Sequence, residues 1–129
     1  MIAPVAAMMK ANLLGWEVKV RVLIVDDSEI MRNGLSDLFT RQGYSVETHD
    51  SGFGVVKRVL KTRPGVVVLD HNLGPDQPTG LEIAQMLRRY GFQVVLTSSE
   101  DLSDRFEPFV LKGKPTELLM EVMRCQSEK

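Results

Sequence analysis

Three aspartates sit where apolar runs stop. Val22-Leu23-Ile24-Val25 ends in Asp26-Asp27, and Val66-Val67-Val68-Leu69 ends in Asp70. Short, continuous aliphatic blocks of this kind suit parallel strands covered on both faces. In an open α/β sheet, ligands bind outside the carboxyl ends of the strands, so two neighbouring strands ending this way bring three carboxylates into one crevice. Such a cluster repels itself unless something positive occupies it. Carboxylates and a backbone carbonyl are hard oxygen donors of the kind that hold Mg²⁺, an ion that keeps several waters and often shares its sphere with phosphate. Two further strand ends add polar groups: Gln93-Val94-Val95-Leu96 runs into Thr97 and Ser98, and Phe109-Val110-Leu111 runs into Lys112. A carboxylate attacking phosphorus needs its charge neutralised by a metal, and an ammonium and a hydroxyl would hold the remaining phosphoryl oxygens.

The elements that must position these groups alternate along the chain. Ser28 can cap a helix whose apolar positions Ile30, Met31, Leu35, Leu38 and Phe39 recur at helical spacing, with Gly43 as its stop. Ser45 to Thr48 reads as a short strand. Phe53, Val56, Val59 and Leu60 mark a second helix ending before Pro64. Leu81, Ala84 and Leu87 mark a third, starting near Thr79. Thr116 is the expected cap of a last helix carrying Leu118, Leu119, Val122 and Met123 on one side. This β-α-β-α alternation predicts an α/β fold with a doubly wound, five-stranded parallel sheet of flavodoxin-like order 2-1-3-4-5.

Composition narrows the function classes. The 129 residues, 43% hydrophobic and 26% charged, suit one domain with an adequate core, and the net charge of −1 offers no footprint for nucleic acid. Direct DNA binding is therefore not expected, and the partner expected is protein. Cys125 is the single cysteine, which fits a reducing, cytoplasmic setting. The apolar start, Met1 to Met9, is far shorter than the ~20 residues that span a bilayer and lacks a basic leader ahead of it, so neither membrane anchoring nor a signal peptide is expected. Residues 1–18 read as a leader, either disordered or laid on the domain as an extra helical turn, or as the product of an upstream start; residues 19–129 read as the domain.

Taken as blocks in order, Val25-Asp26-Asp27-Ser28 with Met31-Arg32, Asp70 with Asn72 and Leu73, Gly80-Leu81-Glu82, Leu96-Thr97-Ser98 and Phe109-Val110-Leu111-Lys112 resemble the receiver domains of bacterial two-component response regulators. The resemblance runs from about Val20 to Met123. It implies that Asp70 is the phosphoacceptor, that Asp27 binds Mg²⁺ directly and Asp26 through water, and that Asn72 supplies a backbone carbonyl to the ion. It implies that Thr97 contacts the phosphoryl group on activation and that Phe109 is an aromatic rotamer switch. The family reaction is transfer from a kinase phosphohistidine to the aspartate, then hydrolysis of the acyl phosphate. The implied partners are a sensor histidine kinase or histidine phosphotransfer protein, meeting a surface that includes Ile30 and Gly34, and a downstream protein.

Three departures from the family pattern set further expectations. The stretch Gly74-Pro75-Asp76-Gln77-Pro78-Thr79-Gly80 is longer than usual and borders the phosphoacceptor, so it is expected to alter the autodephosphorylation rate. Between Thr97 and Lys112 lie too few residues for two connections, a strand and a full helix, since an average helix alone takes ~11 residues. The family's fourth helix is therefore expected to be shortened or absent, with 99–106 forming one turn or a mobile loop, and the usual helix-four dimer is not expected. Two lysines compete for the site: Lys112 keeps the strand-end spacing, while Lys114 has the family's Lys-Pro pair; the strand end favours Lys112.

His49 reads as a surface residue; His71, beside Asp70, reads as an exposed bystander, with an influence on dephosphorylation as the alternative. Asp26-Asp27 by themselves would equally suit a capping pair, and Asp70 an ordinary turn; their agreement with the other strand ends favours a site. The reading is a stand-alone phosphoacceptor, a signalling protein rather than an enzyme, acting as a switch, shuttle or phosphate sink, or a piece of a longer protein. A degenerate receiver that docks a partner without phosphorylation is the alternative. A Mg²⁺-dependent aspartyl phosphatase needs a second acid where Asn72 stands.

Overall fold

A computed structural model of the protein describes residues 19–127. Five strands, β1 (Arg21–Val25), β2 (Ser45–His49), β3 (Val66–Asp70), β4 (Val94–Ser98) and β5 (Phe109–Leu111), alternate with α1 (Glu29–Arg41), α2 (Val55–Thr62) and α3 (Gly80–Arg89), and α4 (Pro115–Ser127) closes the chain. The strands form one parallel sheet in the order β2-β1-β3-β4-β5. This is the flavodoxin-like arrangement expected from the apolar runs. The leader assigned to residues 1–18 lies outside the described residues.

Strand alternation splits the core into two layers. Val22, Ile24, Val66, Val68 and Val95 pack with Leu35 and Phe39 of α1 and Leu118 and Val122 of α4. Leu23, Val25, Val67, Leu69 and Leu96 face the other way, against Val55, Val59, Ile83 and Leu87 of α2 and α3. β3 and β4 are buried along their whole length, which explains their lack of polar alternation. Under α4, the Tyr44 hydroxyl donates to Gln126 Oε1 at 2.8 Å. Burial pushes the Tyr44 phenol above its ordinary value. A phenol kept neutral in the fold contributes stability below the unfolded tyrosine value near pH ~10, and that contribution is lost as pH rises through the higher folded value. Urea unfolding of Tyr44→Phe at pH 8 and pH 11 should therefore show a smaller alkaline loss than wild type; an equal loss would contradict the assignment.

Local sequence explains the helix ends. Ser28 caps α1, its Oγ accepting from Met31 N–H at 3.3 Å, and Gly43 follows the helix at φ 94°, the left-handed turn that ends it. Thr79 and Glu82 form a capping box at α3. Two expectations need correction. Thr116 is not the cap of α4, because the helix begins at Pro115, whose missing N–H costs nothing in a first turn and whose φ is already helical. Phe53 does not belong to α2, because the helix begins at Val55; Val56, Val59 and Leu60 do, with Leu60 exposed.

No helix joins β4 to β5. The segment 99–108 makes one turn, closed by Phe106 N–H to the Leu102 carbonyl at 3.1 Å. That turn is anchored, since Leu102 and Phe106 are buried and the Arg88 guanidinium lies 3.9 Å from the Phe106 ring centre. Among the described residues, no helix is long and apolar enough to cross a membrane.

Candidate functional site

Parallel register delivers the polar groups to one edge. Asp26 and Asp27 follow β1, Asp70 ends β3 opposite Thr97 in β4, and Ser98 pairs with Leu111, so Lys112 leaves β5 at the same level. Asp26, Asp27 and Asp70 each offer a carboxylate oxygen within 4.8 Å of the others. Asp26 and Asp70 are buried and Asp27 is exposed, which leaves the cluster open to solvent on one side. The Lys112 ammonium donates to Asp70 Oδ2 at 2.8 Å and lies 3.5 Å from Asp26 Oδ2. Lys114 points to Glu117 instead, at 3.6 Å on the surface.

The backbone holds the acids in place. Asp26 Oδ1 accepts from Ser28 N–H at 2.9 Å, and Asp70 Oδ1 accepts from Asn72 N–H at 3.3 Å, which sets Asn72 beside the cluster. Thr97 is buried, and its carbonyl accepts the His71 N–H at 2.9 Å. Phe109 is not brought to the crevice: it lies at the amino end of β5, half-buried against the core layer under α2 and α3.

The electrostatics favour a further cation. Burial pushes the Asp70 carboxyl above the ordinary aspartate range; the Lys112 hydrogen bond pulls it back and the Asp26 charge raises it again. Burial lowers the Lys112 ammonium, yet the hydrogen bond and charge of Asp70, with Asp26, outweigh this and hold it above the ordinary lysine value. One ammonium therefore serves two buried carboxylates, and the second carries a cost that a divalent ion would relieve. The oxygen-only donor set fits Mg²⁺.

Removing Lys112 should leave buried charge uncompensated. Lys112→Ala is expected to lower stability in EDTA by about 3 kcal/mol, whereas Lys114→Ala, losing only an exposed pair, should change it by less than about 0.5 kcal/mol. Urea unfolding of the two variants decides between the lysines, and equal effects would contradict the geometry.

Sequence reasoning missed the structural roles of four residues here. Arg32 donates to the Asp26 carbonyl at 2.8 Å, bracing the acidic turn from α1. His71, expected as an exposed bystander, is half-buried, its Nδ1 accepting the Leu81 N–H at 3.2 Å. His49 likewise engages Arg58 and the Phe53 carbonyl. Gly80 presses against β3: a Cβ there would stand 2.1 Å from the Asp70 carbonyl oxygen. Asp70-His71 and Gly80-Leu81 do signal a strand end and a helix start, but only the fold shows how closely they meet.

A parallel sheet with its acids at the β1/β3 switch point places the protein among flavodoxin-like α/β domains that use the carboxyl edge of the sheet. Residues 22–112 match the response regulator receiver domain family. The response regulator MprA of Mycobacterium sp. strain KMS is 35% identical over 89 residues, covering 67% of this chain and 38% of that protein. MprA of Mycobacterium leprae is 34% identical over 89 residues, again covering 67% of this chain and 38% of the relative. The chain thus spans well under half the length of these curated relatives. Among solved structures, the response regulator TrrA of Thermotoga maritima in complex with Mg²⁺-BeF is similar, at TM-score 0.72 and 25% identity, covering 81% of this chain and 97% of that one. The Francisella response regulator 1452 receiver domain shares the fold at TM-score 0.75 and 18% identity, covering 85% and 98%. The chain belongs to the receiver domain family of two-component response regulators.

Proposed function

We propose that this receiver accepts a phosphoryl group from the phosphohistidine of a sensor histidine kinase or histidine phosphotransfer protein onto Asp70, and thereby switches its interaction with a downstream protein. The observation that carries this reading is the buried Asp70 carboxylate, held by Lys112 at 2.8 Å within an oxygen cluster open through Asp27. Asp26, Asp27 and Asp70, with the Asn72 carbonyl, would hold Mg²⁺. When bound, the ion supplies the charge neutralisation that lets a carboxylate approach an anionic phosphoryl group. Lys112 and Thr97 then take the transferred oxygens, one as an ammonium and one as a hydroxyl. Phe109, half-buried at the amino end of β5, would be the aromatic switch that answers the Thr97 hydroxyl.

A groove of about 530 Å³ runs between α1 and α4 and opens onto the site, lined by Ile30, Met31, Gly34, Leu38 and Pro115 beside Asp26 and Lys112. It suits a helix of the phosphodonor, which from there would reach Asp70. The test is beryllofluoride with Mg²⁺, a phosphoryl stand-in, followed by amide NMR. Shifts centred on Asp70, Thr97, Lys112 and Phe109, absent in EDTA, are expected; a spectrum unchanged by Mg²⁺-beryllofluoride would count against the reading.

A further inference from the structure

Six large apolar side chains are exposed among the described residues, and four of them belong to α2, α3 and their flanks: Phe53 at 59%, Tyr90 at 55%, Met86 and Leu60. Phe53 and Met86 line one open groove of about 840 Å³ together with Val56 and Ile83. Leu60 lies four residues beyond Val56 and Tyr90 four beyond Met86, so each helix continues its wall of the same strip. A contiguous apolar strip on a small soluble domain marks a contact surface.

Charge is distributed unevenly along this strip. Asp76 and Glu82 line the groove at the end next to the carboxyl edge of the sheet, where Lys57 offsets one of the two charges, and Lys61 and Arg89, exposed beyond the groove at the other end, are both basic. The two helices run the same way, because each crosses between parallel strands. A two-fold rotation about the middle of the strip sets the acidic end of one copy on the basic end of the next, at both ends at once. The long segment after Leu73 builds the acidic end: Gln77 and Pro78 line the groove, and Gln77 Oε1 accepts the Gly52 N–H.

We infer that this face is occupied by a second copy of the chain, giving a two-fold dimer through α2 and α3. Such a dimer leaves the Asp70 crevice and the α1–α4 groove open, and it needs no helix between β4 and β5. Analytical ultracentrifugation of the full chain tests it. Wild type is expected to pass from monomer to dimer with rising concentration, more weakly as salt is raised. Met86→Asp and the double variant Lys61→Glu/Arg89→Glu are each expected to weaken association at least tenfold. Glu82→Gln, which keeps the capping box while removing a charge, should weaken it less, and Met120→Asp on α4 should leave it unchanged. A chain monomeric up to millimolar concentration, or one dissociated by Met120→Asp but not by Met86→Asp, would overturn the inference.

Discussion

Asp70→Asn will abolish phosphoryl uptake while leaving the fold intact. The amide has nearly the shape of the carboxylate and can still accept from Lys112, but it lacks the charged oxygen that attacks phosphorus. The variant should also lose much of its Mg²⁺ affinity, because one of three converging carboxylates is gone. Asp27→Asn makes the informative contrast: it keeps Asp70, removes the exposed carboxylate of the cluster, and should weaken Mg²⁺ binding by at least about tenfold. Acetyl phosphate labelling of both variants, with Mg²⁺ titrated, separates the roles. Residual labelling of Asp70→Asn at the wild-type rate would place the acceptor elsewhere.

The second large effect is expected at a residue with no functional group. Gly80→Ala inserts a methyl 2.1 Å from the Asp70 carbonyl oxygen and 2.6 Å from the His71 Cα. Both neighbours are backbone, so α3 must move away from β3, taking the Gly80 N–H from the His71 carbonyl and the Leu81 N–H from His71 Nδ1. Overpacking of this kind costs about 3 kcal/mol. The displacement acts directly on the strand end that carries Asp70, so Mg²⁺ affinity should fall with stability. Urea midpoints and Mg²⁺ titration of Gly80→Ala check this; a variant as stable as wild type would show that α3 has slack the geometry denies it.

The sheet was legible because its strands are buried on both faces, leaving aliphatic runs such as Val66 to Leu69 that few other structures produce. Once those runs are strands in the order 2-1-3-4-5, the meeting of Asp26, Asp27 and Asp70 follows from topology. That no full helix joins β4 to β5 was equally legible, since the residues between Thr97 and Lys112 are too few for one alongside a strand and two connections. Interior surfaces seen only after folding were not legible. His71 looked like a bystander because its partner, Leu81 N–H, is ten residues away across a loop. Phe53 was drawn into the second helix because helical spacing gives the period of a stripe but not its edge. Thr116 misled because a proline beside it begins the helix just as well. The choice between Lys112 and Lys114 rested on strand-end geometry against a dipeptide match, and the structure brings Lys112 to Asp70.

The central claim is that Asp70 is a Mg²⁺-dependent phosphoacceptor, and intact mass spectrometry after incubation with acetyl phosphate tests it most directly. The expected result is a single phosphoryl adduct on wild type that is absent in EDTA, absent in Asp70→Asn and lost with time as the acyl phosphate hydrolyses. A folded wild-type chain that gains no adduct in saturating Mg²⁺, or an adduct that persists in Asp70→Asn, would contradict it.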